Sequence, residues 1–409
     1  MRISFRKSYN FFGLHSSKVI TFLDFTKFHN IFAIKKVITR TLNKIINDKL
    51  FSGKAIIVFG ARQVGKTTLI KELTQNRGDV LWLNCDELDI SNLFAEMSST
   101  RFKAIFGSNK IIVIDEAQQI KDIGLRLKLI TDILPEYQLL VTGSSSFELA
   151  NKLNEPLTGR KWEFNLFPLS FSEMVEKNGL LDEKRLIPHR LVYGYYPEVV
   201  TQQGNEEIYL KQLSNSYLYK DILKLEQIKK PDKLIKLLQA LSYQIGSQVS
   251  YNELGQLCGL DSKTVEKYID VLEQSYIIFR LGSFSRNLRN ELKFSKKIYF
   301  YDNGIRNVLI SNFSQIENRT DTGALWENFI ISERKKYLSY NMIWPNVWFW
   351  RTKQQNEIDY IEERNGEISA YEFKWKPSDK IKEPKLFLNS YPNSNFKIIH
   401  RDNMEDFIL

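Results

Sequence analysis

The stretch GARQVGKTTL, residues 60–69, constrains the fold of this 409-residue chain more than any other. It fits the pattern G-x-x-x-x-G-K-[ST], with a short apolar run at 54–60 before it and a helix-like stretch at 66–76 after it. Glycines in such a loop let the backbone approach phosphate oxygens, which then face successive N–H groups and a helix N-terminus. A tight strand-to-helix turn can contain the same residues by chance, but this context favours a loop that binds a nucleoside triphosphate.

The side chains of this loop have expected roles toward ATP. Lys66 is expected to bridge the β- and γ-phosphates, and the Thr67 hydroxyl is expected to ligate Mg²⁺. The predicted cofactors are therefore ATP and Mg²⁺. The predicted nucleotide-binding residues are Gly60, Ala61, Arg62, Gln63, Val64, Gly65, Lys66, Thr67 and Thr68.

A second apolar run, IIVIDEAQ at 111–118, ends in two carboxylates. Asp115 is expected to hold Mg²⁺ through water, and Glu116 to orient and polarise the attacking water. A strand that ends in Asp-Glu is often only a solvated strand end, but a phosphate-binding loop in the same chain favours the functional interpretation. A glutamate at this point predicts hydrolysis rather than nucleotide sensing alone.

Two further catalytic candidates rest on less specific patterns. Ser144, or its neighbours Thr142 and Ser145, follows a strand-like run and is a candidate partner for the γ-phosphate or the lytic water, although small hydroxyl residues also suit a plain turn. Arg160 precedes another strand-like run at 162–167. At the edge of the module it is a candidate to stabilise the transition state on a neighbouring subunit. The alternative is an exposed surface arginine.

The first half of the chain alternates strand-like and helix-like stretches. Continuous apolar strands separated by helices predict an α/β fold with a parallel sheet covered on both faces. One strand–helix unit separates the glycine loop from the Asp-Glu strand, which suits the additional-strand class of P-loop ATPases. The strand-like runs lie at 54–60, 80–87, 110–118, 137–145 and 162–167.

Several motifs in fixed order resemble one known group of proteins. GARQVGKTTL, VIDEAQ, LLVTGSSS, LTGR, PLSFSEM, YPEV and YKDI resemble prokaryotic AAA+-type ATPases in which a P-loop module is fused to a C-terminal domain of uncharacterised function. The resemblance extends from about residue 36 to the end. It implies nucleotide binding at the positions named above and an arginine finger at Arg160, but it brings no known biological role.

The region after residue 246 has the pattern of a winged helix. Two short helices joined by a turn at Gly259 are followed by two strand-like runs. The wing region 280–297 has a local charge of +5, which suits phosphate contacts. The alternative is a winged helix that packs against protein. The charged residues counted are Arg280, Arg286, Arg289, Glu291, Lys293, Lys296 and Lys297.

The C-terminal region contains a D…ExK pattern. Glu372 and Lys374 are two residues apart on one strand-like run and therefore share a face, and Asp359 lies on the preceding run. Two carboxylates that hold Mg²⁺ beside a lysine, with Glu327 approaching from a helix, are the arrangement of restriction-endonuclease-like nucleases. The alternative is cross-strand ion pairing on a solvated sheet face.

Charge and cysteine content restrict the remaining possibilities. The formal net charge is +10, but residues 1–44 carry nine Lys or Arg against one acid, so the whole-chain charge is weak evidence for a nucleic-acid partner. Two distant cysteines, Cys85 and Cys258, fit a reducing cytoplasm rather than a disulfide framework. No apolar run approaches the ~20 residues of a membrane-spanning helix.

These patterns together predict an ATP-hydrolysing, cytoplasmic homo-oligomer whose C-terminal half acts on nucleic acid, without a membrane partner. The alternative is a nucleotide-dependent switch whose C-terminal half binds a protein. The predicted parts are a basic extension at 1–34, a P-loop ATPase module at 35–168, a helical lid or connector at 169–246, a winged helix at 247–310 and a nuclease-like α/β domain at 311–409.

Overall fold

The computed structural model describes residues 38–95, 98–143, 157–216, 228–285, 296–352, 354, 356–377 and 383–409. Thr39–Leu409 form one unit, which contains every element given below. The predicted extension at 1–34, Ser144, Ser145 and the wing residues 286–295 lie outside the described residues. None of the helices described has the length and apolar character that crossing a membrane requires.

A parallel sheet forms the first half of this unit. Its strands are short, β1 and β3 are rich in Ile and Val, and β1, β3 and β4 are buried along their whole lengths, as expected of a sheet covered on both faces. The elements are α1 (Thr41–Asn47), β1 (Ala55–Phe59), α2 (Lys66–Thr74), β2 (Val80–Asn84), α3 (Leu88–Ala95), α4 (Ser99–Phe106), β3 (Ile111–Asp115), α5 (Ile123–Ile133), β4 (Gln138–Gly143) and β5 (Lys161–Asn165).

The order of strands in this sheet is β2-β3-β4-β1-β5, and each neighbouring pair is parallel. The strand after the glycine loop therefore does not pair with β1. Instead β4 separates β1 from β3, and all the carboxyl ends meet at one edge of the sheet. This order brings the glycine loop after β1 close to the carboxylates at the end of β3.

A helical region follows the parallel sheet. Ser170 caps the first helix by accepting from the Glu173 N–H, while the Glu173 side chain accepts from the Ser170 N–H, a reciprocal capping box. The helices are α6 (Phe171–Asn178), α7 (Leu180–Tyr193), α8 (Pro197–Thr201), α9 (Glu206–Leu213) and α10 (Pro231–Tyr243).

The second half of this unit is organised around another sheet. Its order is β12-β11-β10-β9-β7-β8-β6, with a mixture of parallel and antiparallel pairs. The elements are β6 (Gln248–Val249), α11 (Tyr251–Cys258), α12 (Ser262–Gln274), β7 (Ile278–Ser283), β8 (Lys296–Phe300), α13 (Asn303–Leu309), α14 (Thr322–Tyr340), β9 (Asn346–Arg351), β10 (Glu357–Arg364), β11 (Glu367–Phe373), α15 (Lys385–Ser390), β12 (Ser394–Ile399) and α16 (Glu405–Ile408).

One strand pairing joins two regions that the sequence assigns to different domains. β7 belongs to the predicted winged helix and β9 to the predicted nuclease-like domain, yet they pair in parallel, with Gly282 opposite Trp348 and Ser283 opposite Phe349. The boundary predicted between residues 310 and 311 therefore does not divide the sheet. Periodicity along the chain identifies single strands, but it does not reveal which edge strands pair across a long insertion.

The long helix α14 connects both sheets. Near its carboxyl end, Glu333 accepts from the Phe171 N–H at 2.7 Å and Lys336 donates to the Leu169 carbonyl at 2.9 Å. The Tyr340 hydroxyl accepts from the Phe167 N–H at 3.3 Å. These buried bonds fix the segment that leaves β5 against the helix that precedes the C-terminal strands.

Candidate functional site

The glycine loop between β1 and α2 is shaped by close backbone packing. A Cβ added to Gly60 would lie 2.2 Å from the Leu166 carbonyl oxygen, so a side chain at this position is excluded by backbone. Gly65, immediately before α2, has φ +97°, and Gln63 has φ +61°. A glycine adopts such left-handed conformations at little cost. The loop therefore wraps tightly before the first turn of α2, as the sequence predicts.

Lys66 lies at the start of α2 with its ammonium group turned onto the loop. Its Nζ donates to the carbonyl oxygens of Gly60 and Ala61, each at 3.0 Å. Burial lowers the pKa of Lys66 to about 8, although the carboxylates of Glu116 and Asp115 oppose that shift. The ammonium is thus poised within the loop, and phosphate oxygens would be stronger partners than the two carbonyls.

Thr67 and Asp115 form the arrangement expected of a magnesium site. The Thr67 hydroxyl donates to Asp115 Oδ2 at 2.9 Å, so the two predicted ligands face the same point. Hydroxyl and carboxylate oxygens are ligands that Mg²⁺ prefers, and it commonly keeps several waters when bound beside phosphates. The residues present therefore fit the ion that the sequence predicts.

Thr142, at the end of β4, contacts the Asp115 carboxylate and the backbone of Glu116. Its buried hydroxyl donates to Asp115 Oδ1 and accepts from the Glu116 N–H at 3.1 Å. Both of these bonds go to residues at the end of β3, and a contact of this hydroxyl with the γ-phosphate or the lytic water stays a prediction. The other candidate, Ser144, lies outside the described residues, so the catalytic role of Ser144 stays a prediction.

The backbone of Glu116 adopts a left-handed turn directly after β3. It has φ +54°, and its carboxylate accepts from Gln118 Nε2 at 2.5 Å. A non-glycine residue in this left-handed region is uncommon, and such residues cluster at functional sites. The turn directs Glu116 away from the path of β3 while leaving it next to Asp115.

Arg160 lies at the other edge of the parallel sheet. Its carbonyl accepts from the Ala55 N–H at 3.0 Å, which places it at the amino end of β1. The glycine loop follows the carboxyl end, about 16 Å away for five residues at roughly 3.3 Å each. The half-exposed guanidinium pairs with Asp132 at 2.5 Å. Arg160 is therefore remote from the loop of its own chain, so its predicted catalytic role requires a neighbouring chain, and an exposed surface arginine stays the alternative.

Arg40 contacts the glycine loop and was not identified from the sequence. Its buried guanidinium donates to the Val64 carbonyl at 2.6 Å and to Glu173 at 3.0 Å. It also donates to the Phe167 carbonyl at 2.7 Å and reaches the Tyr340 hydroxyl at 3.5 Å. One side chain thus connects the nucleotide loop with α6 and with α14.

The pKa of Lys66 gives a testable pH dependence of ATP binding. Because the pKa of Lys66 is lowered to about 8, the free protein loses this charge as the pH rises above 8. ATP is expected to bind the protonated form, so its affinity should fall by about tenfold per pH unit well above that pKa. Titration of a fluorescent ATP analogue between pH 7 and pH 10 measures this. Lys66→Arg keeps its charge throughout and should show a flat profile, and an equally flat native profile would contradict the prediction.

The structure brings the D…ExK residues together on one face of the C-terminal sheet. Tyr360 pairs with Tyr371, so the preceding and following residues, Asp359 and Glu372, are cross-strand neighbours. Burial raises the pKa of Glu372, and the neighbouring Asp359 carboxylate raises it further. Lys374 donates to Glu372 at 2.6 Å. Asp359, Glu372 and Lys374 therefore lie close together on one face of the sheet.

Glu327 approaches the same face from α14. Burial, and next to it the Asp359 carboxylate, raises the pKa of Glu327 to about 7. Its carboxylate accepts from the Tyr299 hydroxyl at 2.6 Å and from Lys297 Nζ at 3.2 Å. Within the ranges that the structure describes, however, no group of three or more His, Cys, Asp or Glu side chains is placed to hold a metal ion. The C-terminal metal site stays a prediction.

The basic charge of the wing region is smaller than its sequence indicates. Arg280 pairs with Asp270 at 2.7 Å and with Glu273 at 2.5 Å, and the buried Lys297 pairs with Glu327 of α14 and Glu357 of β10. These acids lie outside the 280–297 window, so a count along the sequence missed them. Arg286, Arg289, Glu291 and Lys293 lie outside the described residues. The local charge of +5 is therefore not available as such for phosphate contacts.

Three family models match successive parts of the chain. An AAA domain matches residues 52–175, a domain of unknown function (DUF8612) matches 184–316, and a second domain of unknown function (DUF4143) matches 322–407. The AAA match covers the whole parallel sheet and the glycine loop. Residues 52–175 therefore form a P-loop α/β ATPase module, and the chain has an additional C-terminal α/β sheet.

Relatives extend over most of the chain. An uncharacterized protein of Mycobacterium tuberculosis is 26% identical over 334 residues, covering 80% of this chain and 71% of that protein. An uncharacterized protein of Methanocaldococcus jannaschii is 22% identical over 405 residues, covering 90% and 89%. Among solved structures, a Walker-type ATPase of Pyrococcus abyssi is similar with a TM-score of 0.48 and 15% identity, covering 68% of this chain and 97% of that one.

Proposed function

We propose that this chain binds and hydrolyses ATP with Mg²⁺, and that the nucleotide state acts on its C-terminal half. The observation that carries the proposal is the contact of Thr67 with Asp115 at 2.9 Å, with Glu116 next to it in a left-handed turn. A loop that merely stabilised a strand-to-helix turn would not require a hydroxyl and two carboxylates at one edge of the sheet.

The residues have distinct roles in the proposed reaction. Lys66 and the N–H groups at the start of α2 bind the β- and γ-phosphate oxygens. Mg²⁺, held by Thr67 and through water by Asp115, would neutralise charge on those oxygens. Glu116 accepts a proton from a water whose oxygen attacks the γ-phosphorus, while the bond from that phosphorus to the bridging oxygen breaks and ADP leaves. Gln118 donates a hydrogen bond to the Glu116 carboxylate and so orients it.

The proposed route from nucleotide to C-terminal half is the contact set of Arg40. Its bond to the Val64 carbonyl lies within the loop that ATP would occupy, and its contact with Tyr340 lies on α14. The same helix carries Glu327, which belongs to the C-terminal carboxylate cluster formed by Glu327, Glu357, Asp359 and Glu372. A rearrangement of the loop on ATP binding would therefore change the contacts of buried groups at both ends of α14.

Nucleic acid is the proposed target of the C-terminal half. The order α10, β6, α11, α12, β7, β8, with β6 and β7 both antiparallel to β8, supports a winged helix. The order of α14, three antiparallel strands, α15 and a parallel β12 supports a nuclease-like domain, with Asp359, Glu372 and Lys374 at the matching positions. The nucleic-acid proposal rests on these topologies rather than on net charge.

A protein partner is the second candidate, and the surface of α12 favours it. The helix that a winged helix would place in the major groove exposes Lys263, Glu266 and Lys267, while Asp270 pairs with Arg280. This face mixes acidic and basic groups, whereas DNA-reading surfaces are predominantly basic. Exposed Trp344, which is 81% accessible, adds an aromatic group suited to a protein interface.

A steady-state ATPase assay with added nucleic acid distinguishes these candidates. Turnover by the native chain should rise with duplex DNA, single-stranded DNA or RNA. The stimulation should decline strongly between about 50 and 200 mM salt, because phosphate contacts release counterions. Lys66→Ala should still bind the same nucleic acid but show no turnover. ATPase activity that no nucleic acid changes, together with no salt-dependent binding, would leave the protein-partner candidate.

A further inference from the structure

Lys297 occupies a place in the C-terminal carboxylate cluster that the D…ExK pattern does not include. It lies on β8, in the predicted wing, rather than on the strands that carry the pattern. Its buried Nζ pairs with Glu357 at 2.6 Å and with Glu327 at 3.2 Å, and it stands 5.4 Å from the Phe349 ring centre. The ammonium also interacts electrostatically with Asp359. This ammonium thus lies among three carboxylates, those of Glu327, Glu357 and Asp359.

The carboxylates of this cluster already have donors. Glu327 accepts from Lys297 and the Tyr299 hydroxyl, and Glu357 accepts from Lys297 and lies 3.6 Å from Arg351. Asp359 accepts from the Phe373 N–H at 2.9 Å, and Glu372 accepts from Lys374. Buried charges are stable when they are paired and hydrogen-bonded in this way. A divalent ion would have to displace these donors before it could bind.

We propose that Lys297 takes the place of a divalent cation, so that the C-terminal sheet carries a D…ExK arrangement closed by the ammonium group of the chain itself. The cluster lacks a set of three free ligands for a metal because Lys297 is paired with two of its carboxylates. The pairing of β7 with β9 brings β8, and with it Lys297, within reach of the cluster.

The proposal concerns metal binding without nucleotide, so it is independent of the ATPase proposal. Calorimetric titration of the full chain with Mn²⁺, in the absence of ATP, should show Lys297→Met binding at least about tenfold more tightly than the native chain. Removal of the ammonium leaves carboxylates that a divalent ion can pair. Lys297→Arg, which keeps the charge, should show no such gain. Adding Glu372→Gln to Lys297→Met should remove the gain and so locate the site.

A matched control is Lys336, another buried lysine that pairs with a carboxylate, Glu333, at 2.6 Å outside this cluster. Lys336→Met should lose thermal stability without gaining Mn²⁺ affinity. If Lys297→Met does not fold, Lys297→Met with Glu327→Gln removes both charges and leaves Asp359 and Glu372 for the same titration. The proposal is overturned if the native chain binds Mn²⁺ as tightly as the variant, or if neither variant gains affinity.

Discussion

Glu116→Gln is expected to bind ATP about as tightly as the native chain but to hydrolyse it about 10²–10⁴-fold more slowly, the usual contribution of a general base. The amide retains the size of the carboxylate, so Asp115, Thr67 and Thr142 keep their contacts. It cannot accept the proton of the attacking water. Nucleotide binding measured by titration, together with single-turnover hydrolysis, separates the two steps.

Glu87→Gln is the matched control for this variant, because Glu87 is an exposed carboxylate just after β2, at the same edge of the sheet. It should hydrolyse ATP at the native rate. Lys66→Ala should instead lose tight nucleotide binding, since it removes the ammonium contact to the phosphates. Native turnover in Glu116→Gln or in Lys66→Ala would falsify the ATPase proposal.

Arg160→Ala is expected to lower turnover by about 10³-fold or more if the residue acts as an arginine finger on a neighbouring chain. Its place at the amino end of β1, remote from the glycine loop of its own chain, requires that action to be between subunits. Specific activity of the native chain should therefore rise with protein concentration. Mixing Arg160→Ala with Lys66→Ala should restore part of the activity, because a mixed interface can combine an intact loop with an intact arginine.

Asp132→Asn is the control for the arginine experiment. It removes the partner of Arg160 within the chain, an exposed ion pair at 2.5 Å, without removing the guanidinium. Exposed pairs contribute about 0–1 kcal/mol, so stability should change little and turnover should be retained. Activity that does not depend on concentration, in a chain shown to be monomeric, would end the proposed action between subunits.

The sequence predicted the local parts of the nucleotide site because each has a short signal. A β-rich run, a glycine loop and a helix are contiguous, and Asp115 ends a second apolar strand. Their proximity follows from the parallel order of strands, since the carboxyl ends of parallel strands meet at one edge. The direction of Glu116 did not follow, because a left-handed turn at a non-glycine residue has no sequence pattern of its own.

The sequence did not predict the contacts of Arg40 and Lys297, because their partners lie in other parts of the chain. Arg40 acts on Val64, Glu173 and Tyr340, which are far from it in sequence. Lys297 was counted as a phosphate contact because its neighbours in the chain are basic, whereas its partners come from other elements. Buried ion pairs between distant segments depend on tertiary packing, and no periodicity or motif in one segment encodes them.

The pairing of β7 with β9 also determines where this chain can be cut or exchanged. The interval between α13 and α14 resembles a place to separate two modules. Separating the chain there into two pieces would expose the backbone N–H and C=O groups of β7 and β9. Such open sheet edges can pair with other chains and promote aggregation. The segment from β6 to β12 is therefore the smallest part of the second half that can be expressed alone or exchanged between proteins without creating new sheet edges.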